Sequence, residues 1–169
     1  MADFQTAIPI TLKNEGSTFT AVPSTGEVVK WGVTLRTYRD LVDSDATADT
    51  IKNLTEQQAS DFYRKYFWEP LHLDDVQDQT LAAKIFDLGV NMGIGTITRI
   101  VQQACNVLGH AVTVDGHIGV LTLAAINLSH PPTLLDEIRN LAAARYREIA
   151  ANDPKVAGDL PGWLTRLAS

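Results

Sequence analysis

The chain has 169 residues, of which 45% are apolar, and this suffices for one domain, or for one core with a small added lobe. Its formal net charge is −6 and no basic stripe is present, which argues against a nucleic-acid partner. Cys105 is the only cysteine, so an intramolecular disulfide and a thiolate metal cluster are excluded.

The beginning of the chain predicts a helix followed by a β-hairpin. Gly16 and Ser17 do not favour continuing a helix beyond Glu15. The β-forming residues at 18–22 and 28–33 flank a Pro-Ser-Thr-Gly turn, a pattern that predicts two antiparallel strands. We therefore expect Glu15 at a helix end, facing the hairpin at the mouth of a cleft, where a partly buried carboxyl group can serve as a general acid.

The rest of the chain predicts helices. Residues 55–58, Thr-Glu-Gln-Gln, form a capping box at a helix start. Residues 81–92 are apolar on nearly every face, which predicts the buried central helix of a small domain. Thr133 is expected to cap a long helix that runs to about residue 151. The predicted fold class is mainly α, with α+β character from one small hairpin near the amino terminus.

Three polar side chains in the second half of the chain are candidates for a site. Asp87 and Asn91 lie four residues apart on the apolar helix, so each needs a partner or lines a cleft. We favour a structural role for Asp87 and leave both roles open for Asn91. Asp115 lies in a Val-Asp-Gly-His-Ile-Gly segment that is too short for a calcium loop and favours a local turn. No histidine spacing typical of a metal site and no glycine-rich phosphate loop is present, so no metal and no cofactor is predicted.

Several segments together resemble a known family. They are Glu15-Gly16, Lys30-Trp31-Gly32-Val33-Thr34, Phe86-Asp87 with Val90-Asn91-Met92-Gly93, Val101 to Asn106, Val114 to Gly119, Thr122 with Ala125-Ile126-Asn127, and Gly162-Trp163-Leu164-Thr165-Arg166. This set is similar to the family 108 glycoside hydrolases, lysozyme-like muramidases of phages and bacteria, and to the peptidoglycan-binding module that follows in that family. The likeness covers nearly the whole chain and is more specific in its second half.

The resemblance implies a lysozyme-like fold with a cleft between lobes. It implies a catalytic lobe over residues 1–95 and a peptidoglycan-binding helical lobe over residues 96–169, packed into the same globule. The implied reaction is cleavage of the β-1,4 bond between N-acetylmuramic acid and N-acetylglucosamine, with Glu15 protonating the glycosidic oxygen. The expected substrate-binding residues are Ser24, Trp31, Asn91 and Asp115.

The chain departs from the family pattern in the hairpin. Ser17 replaces the second glycine after the glutamate, Ser24 stands where an aspartate is expected, and Val29 stands where a threonine is expected. The aspartate and threonine would hold the attacking water of an inverting enzyme. Glu27, at the position of a turn glycine, is predicted to supply the second catalytic carboxylate; a solvated glutamate at the hairpin tip is the alternative.

Three functions are compatible with this pattern: a muramidase with a rearranged second catalytic position, a lytic transglycosylase that needs a single glutamate, and a non-catalytic lysozyme-like module that binds the cell wall. Product analysis separates the first two, and any turnover excludes the third.

The first residues of the sequence lack a basic segment followed by an apolar run, so neither a secretory signal nor stable membrane insertion is expected. The protein is expected to be made in the cytoplasm and to act in the periplasm or cell wall after delivery by another route. The route is that of a phage-type lysin or of an injected antibacterial effector. An injected effector would require a cognate immunity protein in its producer.

Overall fold

The computed structural model describes residues 1–22 and 26–168, with Val22 described by its backbone alone. Ordered by sequence, the elements are α1 (Phe4–Glu15), β1 (Thr20–Val22), β2 (Glu27–Lys30), β3 (Val33–Thr34), α2 (Leu35–Leu41), α3 (Ala48–Lys52), α4 (Glu56–Tyr63), α5 (Gln79–Met92), α6 (Ile94–Val107), α7 (Val120–Leu128), α8 (Pro131–Asn152) and α9 (Leu160–Ala168). A π-helical turn at Arg64–Trp68 and 3-10 turns at Glu69–Leu71, Leu73–Asp75 and Ala157–Asp159 complete them. The fold is mainly α with a small sheet near the amino terminus, as the sequence predicted.

The sheet has one strand more than the predicted hairpin. β1 pairs antiparallel with β2, with Thr20 opposite Val29. β2 then pairs antiparallel with β3, with Lys30 opposite Val33. The tight β2–β3 connection leaves Trp31 and Gly32 in left-handed backbone conformations, with φ of 55° and 73°. This turn brings the backbone of Gly32 against the end of α1.

One of the two predicted helix caps is observed. The Thr55 capping box is confirmed, because its side chain accepts from the Gln58 N–H while Gln58 reaches back to the cap. Thr133 as the cap of the long helix is wrong. α8 begins three residues earlier, with His130 as cap and proline in its first turn. Proline suits that position because its missing N–H would have no helical partner there. The short helix α3 is not among the predicted elements.

The central helix is α5, as its apolar sequence indicated. Leu81, Ala82, Ile85, Phe86 and Leu88 are all at most 1% exposed. α5 packs against α1 on one side and against α6 and α8 on others, so residues from both halves of the chain share one hydrophobic core. The division at residue 95 stays a prediction. α9 packs against α8, and α8 packs against α5. The core therefore holds α1, α5 and α9, the three helices that contribute to the site, in fixed positions.

Candidate active site

Glu15 is the last residue of α1, at the junction with the sheet. The helix ends there because Gly16 adopts φ 79° and its N–H bonds back to the Leu12 carbonyl at 2.9 Å. Leu12 and Thr11 are buried, which anchors the last turn of α1 in the core. The Glu15 side chain is 20% exposed, so it is held by protein on most sides while remaining accessible. The predicted position of Glu15 between helix and sheet is therefore observed.

Arg166 of α9 bridges Glu15 and Asp87. Its Nη2 donates to Glu15 Oε1 and to Asp87 Oδ1, each at 2.8 Å, and its Nε donates to Asp87 Oδ2 at 3.0 Å. Only 15% of the arginine side chain and 5% of the aspartate side chain are exposed. Burial alone would lower the pKa of Arg166, but the hydrogen bonds and charges of Asp87 and Glu15 outweigh it and raise the pKa above its ordinary value. The guanidinium is therefore a permanent cation beside Glu15.

Asp87 is the anchor of this arrangement. It accepts two hydrogen bonds from Arg166 and a further one from Asn14 Nδ2 at 3.2 Å. Its structural role was favoured from the sequence, and these bonds satisfy the buried carboxylate. Because Asp87 holds Arg166 through two N–H groups, the guanidinium keeps a counter-charge when Glu15 takes up or releases a proton.

The opposite side of Glu15 is closed by the β2–β3 turn and α4. A β-carbon added to Gly32 would lie 2.7 Å from Glu15 Oε2 and 2.5 Å from the Tyr63 hydroxyl oxygen, so only glycine fits there. Tyr63 donates its hydroxyl to the Trp31 carbonyl at 2.8 Å and thereby holds the turn. Burial first, and then the Glu15 carboxylate, raise the pKa of Tyr63, against a smaller opposing effect of Arg166. Tyr63 is thus a neutral hydroxyl that fixes the wall of the site.

Two depressions flank Glu15. The first, of about 320 Å³, lies beside Gly16 and Ser17 and includes the predicted substrate-binding residue Trp31. The second, of about 390 Å³, lies beside Asn14 and Arg166 and includes the predicted substrate-binding residue Asn91. Glu15 itself lines neither depression, but Gly16, the next residue in the chain, lines the first and its ion-pair partner Arg166 lines the second. Their roles in binding substrate stay predictions.

Glu27 does not line either of these depressions. Its Oε1 accepts a hydrogen bond from the Arg36 N–H at 3.2 Å, at the start of α2. It lines a separate depression of about 200 Å³ with Leu35 and Arg39. A carboxylate at a helix amino terminus is favourable in its own right. The catalytic role of Glu27 stays a prediction, and Ser24 lies outside the described residues.

Asp115 is part of a bonded loop in the second half of the chain. It accepts from Gln102 Nε2 and from the His117 N–H, each at 2.8 Å, and these bonds lower its pKa. The predicted turn with local backbone bonding is therefore present. None of its described partners lines the depressions beside Glu15. A substrate-binding role for Asp115 stays a prediction.

Several residues of the site were not singled out from the sequence. They are Asn14, Gly32, Tyr63, Trp163 and Arg166. Gly32, Trp163 and Arg166 belong to segments that carried the resemblance, but their individual roles depend on contacts between distant parts of the chain.

Within residues 1–22 and 26–168, no group of three or more histidine, cysteine, aspartate or glutamate side chains could hold a metal ion. In the same part of the chain, no helix has both the length and the apolar character needed to cross a bilayer.

Comparison with known proteins identifies the class. A family model described as Glycosyl hydrolase 108 matches residues 8–93, and a model described as Predicted Peptidoglycan domain matches residues 97–168. A solved structure titled "Structure of Brucella abortus SagA" is similar over 98% of this chain and 89% of that chain, with a TM-score of 0.82 and 23% sequence identity. No curated protein matches the chain.

With its helical core, small sheet and intervening glutamate, the protein is a lysozyme-like glycoside hydrolase that acts on peptidoglycan. The chain belongs to glycosyl hydrolase family 108 and carries the associated peptidoglycan domain.

Proposed function

We propose that the protein cleaves the β-1,4 bond between N-acetylmuramic acid and N-acetylglucosamine, with Glu15 as the general acid. The observation that carries this proposal is the Glu15 carboxyl group at the end of α1, with one oxygen held by Arg166 and the other facing Gly32, next to the depression that Arg166 lines. A glycan strand lying in that depression would bring a glycosidic oxygen close to Arg166 and to the carboxyl group that it holds.

The proton balance of the step follows from the contacts. Glu15 Oε1 accepts the Arg166 hydrogen bond, and the carboxyl group must carry a proton to act as a general acid. Donation of that proton to the glycosidic oxygen accompanies cleavage of the C–O bond at the anomeric carbon and leaves Glu15 as a carboxylate. Water forms the new bond to that carbon and releases a proton, for which Glu27 is the proposed acceptor. Arg166 then stabilises the charge that returns to Glu15.

A lytic transglycosylase is the second candidate, favoured by the serine and valine at positions 24 and 29. These residues cannot position water as an aspartate and a threonine would. A transglycosylase needs no such water, because the 6-hydroxyl group of the muramic acid attacks its own anomeric carbon. The same glutamate serves as acid and base in that reaction.

Product analysis tests both candidates together. The purified protein is incubated with labelled peptidoglycan and the fragments are measured by mass spectrometry. Reducing-end muramic acid is expected, whereas 1,6-anhydro ends would assign transglycosylase chemistry. Absence of both products, from protein shown to be folded by circular dichroism, would leave the non-catalytic wall-binding function.

The role of Glu15 is tested by Glu15→Gln, which keeps the side-chain shape and an oxygen for Arg166. Loss of the acid is expected to slow cleavage by about 10²–10⁴-fold. The matched control is Glu69→Gln, because Glu69 is a half-exposed glutamate in a surface ion pair with Arg64. Cleavage at the parental rate by folded Glu15→Gln protein would overturn the assignment of the acid.

We propose delivery to the periplasm or cell wall as an injected antibacterial effector or as a phage-type lysin. The net charge of −6 gives no attraction to an anionic envelope, which favours injection. Expression in a Gram-negative host with and without an added export signal tests the site of action. Lysis is expected only in cells that express the protein with the export signal. An immunity protein in the producer, the partner expected of an injected effector, would suppress that lysis when co-expressed.

A further inference from the structure

Lys84 is a buried lysine on α5 that the proposed reaction does not use. Only 8% of the residue is exposed, although lysine is among the side chains that proteins seldom bury. Its Nζ donates to the Arg166 carbonyl at 2.9 Å, across 82 positions of the chain. We propose that Lys84 is a positioning residue, which holds the backbone of Arg166 so that the guanidinium lies on the Glu15 carboxyl group. The inference rests on the proposed function for the role of Glu15, and it adds a residue that acts on the acid through Arg166.

Arg166 is held from α5 at both of its ends. Asp87 accepts from the guanidinium, from Nε at 3.0 Å and from Nη2 at 2.8 Å, while Lys84 donates to the main-chain carbonyl of the same arginine. Lys84 and Asp87 are three residues apart on α5, a spacing that places both side chains on one face of a helix. Because α5 is the central helix of the core, both anchors belong to a rigid element. An arginine held at its carbonyl and at its guanidinium has little freedom to move away from Glu15.

The Lys84 contact lies at the carboxyl end of α9. The last four carbonyls of a helix lack an N–H partner within the helix, and the Arg166 carbonyl is among them because α9 ends at Ala168. Cationic side chains are favourable at this end of a helix. Arg139 Nε donates to the next carbonyl, that of Leu167, at 2.9 Å. Lys84 therefore bonds the residue that binds Glu15, whereas Arg139 bonds its neighbour.

The charges around Lys84 show that its hydrogen bond matters more than its charge. Burial lowers the pKa of Lys84, Asp87 opposes this effect, and the cations Arg139 and Arg166 add to it. Removal of the lysine charge would therefore relieve repulsion with two neighbouring cations. Methionine, which fills a similar buried volume, should be tolerated by the fold while the contact with the Arg166 carbonyl is lost.

The side-chain Nε–H of Arg166 reports whether the guanidinium keeps its place. In the parent this group donates to Asp87 Oδ2, which slows exchange of its proton with water. NMR on the full-length Lys84→Met protein is expected to show exchange about tenfold faster than in the parent. Unchanged exchange in this variant would overturn the proposal.

Kinetics tests the consequence for the acid. On soluble peptidoglycan fragments, kcat per folded molecule of Lys84→Met is expected to fall by about tenfold with little change in KM, because the acid is misaligned after the substrate has bound. A purely structural role would lower the folded fraction and leave kcat of the folded molecules at the parental value, which would overturn the proposal. Lys84→Arg keeps a long side chain with a donor and should recover most of kcat.

Arg139→Met is the matched control, since it removes a cation from the same end of α9 and leaves the Lys84 contact with the Arg166 carbonyl in place. Its Nε–H exchange and kcat should stay close to the parental values. Equal losses in Lys84→Met and Arg139→Met would show that both cations only cap α9, and would overturn the positioning role. If Lys84→Met does not fold, the same two measurements on Lys84→Gln decide, because its amide nitrogen lies one atom closer to the backbone.

The positioning role and the proposed function fail separately. Faster Nε–H exchange in Lys84→Met, in a protein that cleaves no peptidoglycan, would leave Lys84 as the residue that places Arg166 and overturn the reaction. Cleavage with the expected products, together with parental exchange and parental kcat in Lys84→Met, would leave the reaction and overturn the positioning role.

Discussion

Arg166 and Glu15 form a salt bridge of 2.8 Å between residues that are 151 positions apart in the chain. The first residue lies in the segment matched by the peptidoglycan domain, and the second lies in the segment matched by the hydrolase model. The carboxyl group at the proposed reaction centre is therefore positioned by both segments together.

Arg166→Ala is expected to destabilise the protein by about 3–5 kcal/mol. Asp87 is 5% exposed, and removal of its cationic partner would leave a buried carboxylate without compensation. Chemical denaturation of the parent and the variant measures the difference. Asp87→Asn added to Arg166→Ala removes the uncompensated charge and should recover part of the loss. Equal stability of the parent and the single variant would show that the bridge has no structural role.

Gly32→Ala is expected to lower activity by about 10²-fold, because its β-carbon would displace the Glu15 carboxyl group. The control is Gly109→Ala. Gly109 also has a positive φ, of 91°, but an added β-carbon there meets nothing within 4 Å. Both variants carry the backbone strain of a left-handed alanine, and only the first moves Glu15. Turnover rates at matched folded fractions distinguish the two effects, and equal losses in both would reject the displacement.

Glu27→Gln separates a catalytic role from a capping role. The glutamine oxygen still accepts from the Arg36 N–H, so stability should be retained. If Glu27 activates water, hydrolysis is expected to slow by about 10²–10⁴-fold with little change in KM, and Ser24→Asp should restore it. Parental turnover in Glu27→Gln would show that Glu27 has no catalytic role.

A fragment of residues 1–95 is expected to aggregate or remain unfolded. α6 and α8 cover α5 in the intact protein, and their removal exposes side chains such as Ile85 and Leu88. Size-exclusion chromatography and thermal melting of the fragment provide the measurement. A monodisperse fragment with a sharp transition would show instead that the first segment folds by itself.

Tyr146→Phe is expected to cost stability at neutral pH and to lose this disadvantage in alkaline solution. At neutral pH the variant lacks the hydrogen bond to Asn91, which contributes about 1 kcal/mol. Burial, with a smaller contribution from Asp87 and against that of Arg166, raises the pKa of Tyr146 from 10.0 to about 12.

The sign follows from the raised folded-state pKa. The Tyr146 hydroxyl contributes its full stability below about pH 10 and loses it as the pH rises through about 12, since the unfolded chain releases this proton first. The phenylalanine variant has no such loss, so the gap in melting temperature should narrow over this interval. A constant gap from neutral pH to about pH 12 would contradict the shift.

The helical elements and Glu15 could be predicted because their signals are local. Capping residues, apolar periodicity and the glycine after Glu15 all act within a few positions of the chain. The contact of Gly32 with Glu15 could not be predicted in the same way, because it depends on how the β2–β3 turn packs on α1. The partners of Arg166 could not be predicted either, because no residue near it in the sequence indicates that it contacts Asp87 and Glu15.

The error at Thr133 has a different origin. Threonine is a good cap, but the two prolines at 131 and 132 also favour a helix start, and their fixed φ sets the first turn three residues earlier. His130 then lies at the cap position, with its Nδ1 within 3.0 Å of the Thr133 hydroxyl. The threonine and the prolines favour different helix starts, and the prolines determine the observed one.

The position of Arg166 in α9 also sets the time at which the site can assemble during synthesis. The ribosome releases Glu15 and Asp87 long before residue 166 emerges, since chains are made from the amino end. A nascent chain therefore contains the proposed acid without the cation that holds it. Translation must pass residue 166 before the charges at the centre are balanced, which confines the assembled site to chains that include α9.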